Sequence, residues 1–248
     1  MAFPVVWIYW AISLTIVTYA SAYIVRRYKE HGFAALTAFY VVYLCASQII
    51  ATRVIQFDLG LYIFIAPAAV FIYPFIAQAI DMINEVYGRE KAHLAIGIAL
   101  ITQVLLVVFI VMTNSLTPAS FFQFEEAWQS IFAFSIRITV ASWVAFLVCQ
   151  NLDAFVFAKL KQKFAKREAK HKGSAWTNPF LWLRSTVSDA LDLTLDSFIF
   201  VTLAFYGVPG VSVVEMIVGQ IVAKNIIGFL DTPWFVWYKK MVGKSSAE

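Results

Sequence analysis

The chain has 248 residues, of which 61% are hydrophobic and 14% charged, with a mean hydropathy of +0.76 and a formal net charge of +4. A water-soluble domain of this size has nowhere to hide so much apolar surface, and charged residues fall well below the roughly one quarter usual in soluble proteins. That excludes a soluble enzyme, a disordered chain and a disulfide scaffold. The basic balance reads as the cytoplasmic loops of a polytopic membrane protein, so a lipid bilayer and no nucleic acid is the expected partner.

A helix needs about 20 apolar residues to cross a bilayer. Seven runs reach that length, at 3–25, 33–55, 60–83, 94–113, 131–157, 186–207 and 213–237. The expected fold class is an all-α integral membrane protein of about seven transmembrane helices. Ala20-Ser21-Ala22 looks like a signal-peptide cleavage site, but no basic residue precedes the first run and Arg26-Arg27 follow it, so it reads as an uncleaved span. Cys45 and Cys149 lie inside apolar runs and read as buried packing residues. Span 3 carries Pro67 and Pro74, which break a helix, and broken helices at membrane depth are tolerated where they line a cavity. The segment Phe121 to Ser130 alternates aromatic and acidic residues, which suits either a stretch lying flat at the outer interface or an ordinary loop. The basic run Lys159 to Lys172 reads as a solvated helical extension of span 5, the alternative being contact with anionic lipid headgroups.

Sixteen of the nineteen Lys and Arg residues fall in loops or tails on one side of this arrangement. The positive-inside rule then puts the N-terminus outside and the C-terminus in the cytoplasm of a cell-membrane protein, which needs an odd number of spans. Arg53 and Arg137, near outer span ends, are expected to snorkel to the headgroups.

An ionisable side chain within a span costs on the order of 3 kcal/mol, so each one is a functional candidate. Span 6 holds Asp189, Asp192 and Asp196 at spacings of three and four, which places them on one helical face. Pro74, Gln78, Asp81 and Glu85 follow the same rhythm in span 3. Span 5 aligns Ser135, Thr139, Ser142, Gln150 and Asp153, and span 7 aligns Gln220, Lys224 and Asp231. The hydroxyls of span 5 read mainly as interhelical glue. Lys224 is the only cation deep in a helix against six aspartates in or at the spans, which implies a hydrated cavity opening toward the cytoplasmic half.

The chemistry is narrowed by what is missing. All three histidines, His31, His93 and His171, fall in loops, and the sequence has no HExxH, CxxC or P-loop motif, so no catalytic residue, metal or cofactor is assigned. Two aspartates sharing a proton would suit an intramembrane aspartyl enzyme, but a solute site fits the pattern better. Carboxylates accept paired N–H donors from a flat, guanine-like edge. A proton or cation pathway on the same carboxylates is the competing reading.

Particular strings narrow this further. Tyr73-Pro74 followed by Asp81-Met82-Ile83-Asn84-Glu85-Val86-Tyr87-Gly88 resembles the signature of the queuosine-precursor transporter family, formerly called vitamin uptake transporters. Gln150 to Asp153 with Phe155, Phe157 and Lys159-Leu160-Lys161 is similar to its next motif. Arg184 through Ser188 to Asp196-Ser197-Phe198-Ile199-Phe200, then Ala204 to Gly207, is similar to the third, and Lys224 with Leu230-Asp231-Thr232-Pro233 to the last. Ser47 to Val54 is a looser match, with Arg53 where the family has a basic residue.

The resemblance, over roughly residues 40–240, implies import of 7-deazaguanine bases such as queuine, preQ0 or preQ1 for tRNA modification. It also implies a six-helix core, residues 33–240, similar to the substrate-binding components of energy-coupling-factor transporters. The N-terminal helix and basic loop at 1–32 would be an addition to that core, and 241–248 a cytoplasmic tail. A substrate-binding subunit that needs a separate energiser, and a homodimer, both fit that likeness. The implied site comprises Asp81, Glu85, Gln150, Asp153, Arg184, Ser188, Asp192, Asp196, Lys224, Asp231, Gln78 and Tyr87. One departure stands out: where the family carries a Ser-Gln pair ahead of the span 6 aspartate, this chain has Asp192 and Leu193.

Overall fold

The computed structural model describes residues 3–58, 63–170 and 193–243, of which residues 3, 4, 29, 57, 58, 89, 150–170, 232 and 243 are described by their backbone alone. Helix α1 (Phe3–Arg27) is followed by α2 (Lys29–Ile50), and both are apolar enough along their length to cross a bilayer. Helix α3 (Tyr73–Asn114) is two helices in one: Gly88, at φ 81° and ψ 172°, breaks it. A positive φ of that size is a conformation that side chains other than hydrogen resist, which is why a glycine stands at the break. Helix α4 (Glu125–Lys170) continues through the basic run as far as Lys170. A short apolar helix α5 (Leu193–Phe205) and the long α6 (Val213–Gly243) complete the described chain.

Five described segments are long and apolar enough to span a membrane: Val5–Arg27, Glu30–Ile50, Glu90–Asn114, Glu125–Cys149 and Val213–Val242. The protein is thus an all-α membrane protein, and its exposed apolar side chains, such as Ile101, Phe109 and Phe229, suit a lipid-facing surface.

Span 3, expected as a helix broken at Pro67 and Pro74, is interrupted there, and the part before the break is strand. Strand β1 (Val54–Asp58) pairs antiparallel with β2 (Ile63–Pro67), in register from Val54 opposite Pro67 to Asp58 opposite Ile63. The Ala68 amide donates to the Arg53 carbonyl at 2.8 Å and closes the base of this hairpin. A 3-10 turn, Ala68–Phe71, then leads into α3 with Pro74 in its first turn, where a proline's missing N–H costs nothing. A short apolar run such as Ile63-Phe64-Ile65 reads equally as strand or buried helix from its pattern. Its β-branched and aromatic residues, ended by Pro67, decide for strand.

The segment Phe121 to Ser130 is irregular over its first half, as an ordinary loop would be. Its second half is the first turn and more of α4, held by Trp128 Nε1 donating to Asn114 Oδ1 at 2.9 Å, while Phe121 projects freely at 83% exposure. Arg137 differs from the snorkelling expected of it. Its Nε donates to the Leu203 carbonyl at 2.9 Å and its Nη2 to the Tyr206 carbonyl at 2.6 Å, so it caps the C-terminal end of α5. A guanidinium there satisfies carbonyls that have no intrahelical partner and meets the negative end of the helix dipole. Arg137→Ala is expected to lower the melting temperature by a few degrees, the equivalent of about 1 kcal/mol for a chain of this size. An unchanged melting temperature would show the cap to be irrelevant.

Four buried clusters hold the described bundle: the smallest, Tyr40, Ala79 and Ala99, lies between α2 and α3, and three are larger. Ala22, Val25, Leu36, Met82, Ile83, Ala95 and Tyr238 join α1, α2, α3 and α6. Trp10, Leu14, Ala66, Val70, Ala223 and Ile227 join α1, the hairpin and α6. Ala51, Ile138, Ala141, Val201, Phe205 and Met216 join α2, α4, α5 and α6. Alanines recur in all four because close helix approach in lipid depends on small residues. Trp10 meets Trp234 and Tyr19 meets Trp237, so α1 and α6 run in the same direction.

Candidate functional site

A cavity of about 380 Å³ lies among the helices, toward the small end of the roughly 300–1,000 Å³ usual for small-molecule sites. Its wall is made by α2 (Tyr40, Leu44, Ser47, Gln48), the hairpin end and 3-10 turn (Pro67, Ala69, Val70), both halves of α3, α4, α5 and α6. Among the described residues none of α1 reaches it. Because the first half of α3 begins at Tyr73, beside Lys224 and well along α6, the chain enters the bundle as hairpin and turn and becomes helical at the cavity wall. Non-helical backbone of this kind is stable in a membrane only when covered by protein or facing a cavity.

The polar groups divide into a charged side and an amide side. On the charged side Lys224 Nζ pairs with Asp196 Oδ2, joining α6 to α5, and the ammonium stands 5.0 Å from the centroid of the Tyr73 ring. A partly desolvated cation gains about 1–2 kcal/mol over an aromatic face. Asp81, on the first half of α3, lines the same cavity. On the amide side Ser142 Oγ donates to Gln48 Oε1 at 3.2 Å, and Trp143 Nε1 donates to Gln103 Oε1 at 2.6 Å. Gln220, one turn before Lys224 on α6, completes this side. The remaining wall is apolar, from Ile76, Ile80, Ile96, Leu100, Phe146 and Phe200. Such a lining can offer a small solute apolar contact together with carboxylate, ammonium and amide hydrogen-bonding groups.

Of the residues picked from sequence, Asp81, Asp196 and Lys224 thus come together. Gln78 lies elsewhere: it is buried at the junction of three helices, accepting from Thr18 Oγ1 at 3.4 Å and donating to the Asp231 carbonyl at 3.0 Å. Asp231 is buried in α6 outside the cavity wall. Glu85 pairs with Lys239 at 3.1 Å, and the Tyr87 ring meets Phe33 edge-on at 5.8 Å, both beyond the cavity. The side chains of Gln150 and Asp153, and Arg184, Ser188 and Asp192 altogether, lie outside the described residues. The sequence does not single out Gln48, Gln103 or Trp143, and the implied site includes neither Gln220, on the polar stripe of span 7, nor Tyr73, in the first signature string. A lone glutamine in an apolar span was the available signal, since its amide must find a partner there. The hydroxyl seam of span 5 is split: Ser135 and Thr139 bond to carbonyls of their own helix, and Ser142 alone reaches across to Gln48.

Known proteins similar to this chain indicate its family. A family described as "Putative vitamin uptake transporter" matches residues 67–238, which include Asp81, Asp196, Gln220 and Lys224 and leave out α1. Among curated relatives, a "Probable queuosine precursor transporter" of Bacillus subtilis (strain 168) is 30% identical over 173 residues, 68% of this chain and 70% of its own. A protein of the same name from Haemophilus influenzae (strain ATCC 51907 / DSM 11121 / KW20 / Rd) is 30% identical over 134 residues, 54% of this chain and 49% of its own. No solved structure matches the chain. With its apolar helices and the extent of these matches, the chain belongs to the vitamin uptake transporter family and is a multi-pass membrane transporter of a small-molecule substrate, not an enzyme.

Proposed function

We propose that this chain imports 7-deazaguanine bases, the precursors of queuosine in tRNA, across the cell membrane. The substrate named for both relatives supports that class. The observation that carries it here is the Lys224–Asp196 pair under the Tyr73 ring, on the wall of a cavity that Asp81 also lines. A deazaguanine is flat and presents a lactam carbonyl, a ring N–H and an exocyclic amine. Asp81 and Asp196 read donors, Lys224 donates to the carbonyl, and the ring lies among Tyr73 and the apolar wall. Gln150, Asp153, Arg184 and Ser188 join the same site on the family resemblance alone, with Asp192 selecting the aminomethyl cation. Glu85, Tyr87, Asp231 and Gln78 act from outside the cavity wall, by holding α3 and α6 in place.

In this reading the N-terminus is outside and the C-terminus cytoplasmic. The common direction of α1 and α6 supports it, because it sets the two termini at opposite ends, and the basic loops choose which end is inside. Residues 33–240 form the transporting core and residues 1–32 an accessory helix.

The test is uptake by cells lacking their own transporter, scored as queuosine in tRNA. The unaltered chain restores it, and the Asp81→Ala, Asp196→Ala double variant, at equal membrane expression, loses at least about 10-fold, as expected when charge-assisted hydrogen bonds go. Undiminished uptake by the double variant would remove these residues from the site. A cation pathway would instead pass current with no base present, and a subunit needing an energiser would fail in liposomes holding this chain alone.

A further inference from the structure

We infer that Gln220 discriminates among bases by their hydrogen-bonding edge, its carbonyl oxygen accepting from the exocyclic amine; this rests on the deazaguanine reading above. Four glutamines are buried among the described residues: Gln48, Gln78, Gln103 and Gln220. In three of them the carbonyl oxygen accepts from a side chain of another helix, Ser142, Thr18 and Trp143 respectively. Gln220 differs. It is 2% exposed, it lines the cavity, and its Oε1 has no hydrogen-bond partner among the described residues.

A buried amide oxygen without a donor is a standing penalty that a ligand N–H removes. The carbonyl oxygens of the other buried glutamines are taken up in bonds between helices; among the four, that of Gln220 is left over for a solute. The terminal torsion of a glutamine is soft, so the amide can turn toward an arriving base at little cost.

Its position supplies the rest. Gln220 and Lys224 are one helical turn apart on α6 and both line the cavity, which puts an acceptor and a donor roughly 5–6 Å apart at their side-chain roots. That is close to the width of a purine-like edge bearing a carbonyl at one end and an amine at the other. Lys224, kept in place by Asp196, takes the carbonyl end. Gln220 takes the amine end. A base with hydrogen in place of the amine leaves Oε1 buried and unpaired, and a site built to hydrogen-bond a group rejects the analogue lacking it far more strongly than an apolar pocket would.

The experiment compares uptake of 7-aminomethyl-7-deazaguanine with that of the same base lacking its exocyclic amine, in the unaltered chain and in Gln220→Leu, Gln220→Met and Gln220→Glu, each normalised to the amount in the membrane. The unaltered chain is expected to prefer the amine-bearing base by about 10- to 100-fold. In Gln220→Leu and Gln220→Met the preference collapses to within about 3-fold, mostly by loss of the good substrate. Gln220→Glu, which keeps an acceptor, retains most of the preference. The use of two apolar variants guards against one failing to reach the membrane. A merely structural glutamine would depress both bases equally and leave the ratio intact, and that result overturns the inference while leaving the proposed function standing. If the unaltered chain takes up neither base, the deazaguanine reading itself has failed, and this inference with it.

Discussion

Lys224→Met is expected to abolish uptake and to destabilise the protein, and the two effects should separate when Asp196 is changed as well. The pair is largely removed from water, with side-chain exposures of 10% for Lys224 and 26% for Asp196. Taking away one partner leaves a carboxylate facing a cavity with its charge uncompensated. Breaking a buried pair in this way costs roughly 3–5 kcal/mol, and the lower figure applies here because Asp196 keeps some contact with water. Replacing both partners by uncharged groups of similar shape is often neutral for stability. The Asp196→Asn, Lys224→Met double variant should therefore recover most of the melting temperature lost by Lys224→Met alone, yet remain inactive in uptake. If it recovers uptake together with stability, the pair joins α5 to α6 and has no part in binding.

A methyl group at Gly219 should be nearly as damaging, for a reason of shape. A Cβ built there would stand 2.0 Å from the carbonyl oxygen of Ile65 and 2.8 Å from its carbon, where real contacts of this kind essentially never fall below 3.0 Å. The obstacle is the backbone of β2, which cannot swing aside as a side-chain tip would. Gly219→Ala must push the hairpin off α6, and Pro67, Ala69 and Val70, just beyond it, form part of the cavity wall. The expected cost is about 3 kcal/mol, toward the upper end for forcing extra atoms into a packed core, with uptake reduced at least 10-fold. Gly228→Ala on the same helix is the control. A Cβ there meets nothing within 4 Å among the described residues, and alanine is the better helix former by up to about 1 kcal/mol, so the melting temperature should hold or rise. Equal behaviour of the two variants would show that the close approach of β2 to α6 is unimportant.

The two predictions draw on different kinds of information. Lys224 and Asp196 stand out in the sequence because a charge in an apolar run is costly and so demands a reason. Gly219 does not stand out. Glycine is ordinary in membrane helices, and only the crossing of β2 over α6 shows why a side chain is forbidden at 219 and allowed at 228. Arg137 likewise reads in sequence only as a cation near a span end, and the fold alone brings the carbonyls of Leu203 and Tyr206 to its guanidinium.

What the sequence determined by itself was the solvent and the class: length and hydropathy demand lipid, and the spacing of apolar runs demands helices, because these properties are sums over many residues and survive local error. The run of polar residues along α6 was legible for the same reason, a period of 3.6 being written into the order of the chain. Tertiary structure alone decided which members of each polar stripe face one another. Asp81, on the first half of α3, shares a cavity with Lys224, while Gln78, one turn earlier, is turned into a helix junction with Thr18 and Asp231. Stripe membership restricts a side chain to an arc wide enough to face either neighbour. The choice within that arc depends on how α1, α3 and α6 cross, and the hairpin and the break at Gly88 set that crossing through contacts between residues far apart in the chain.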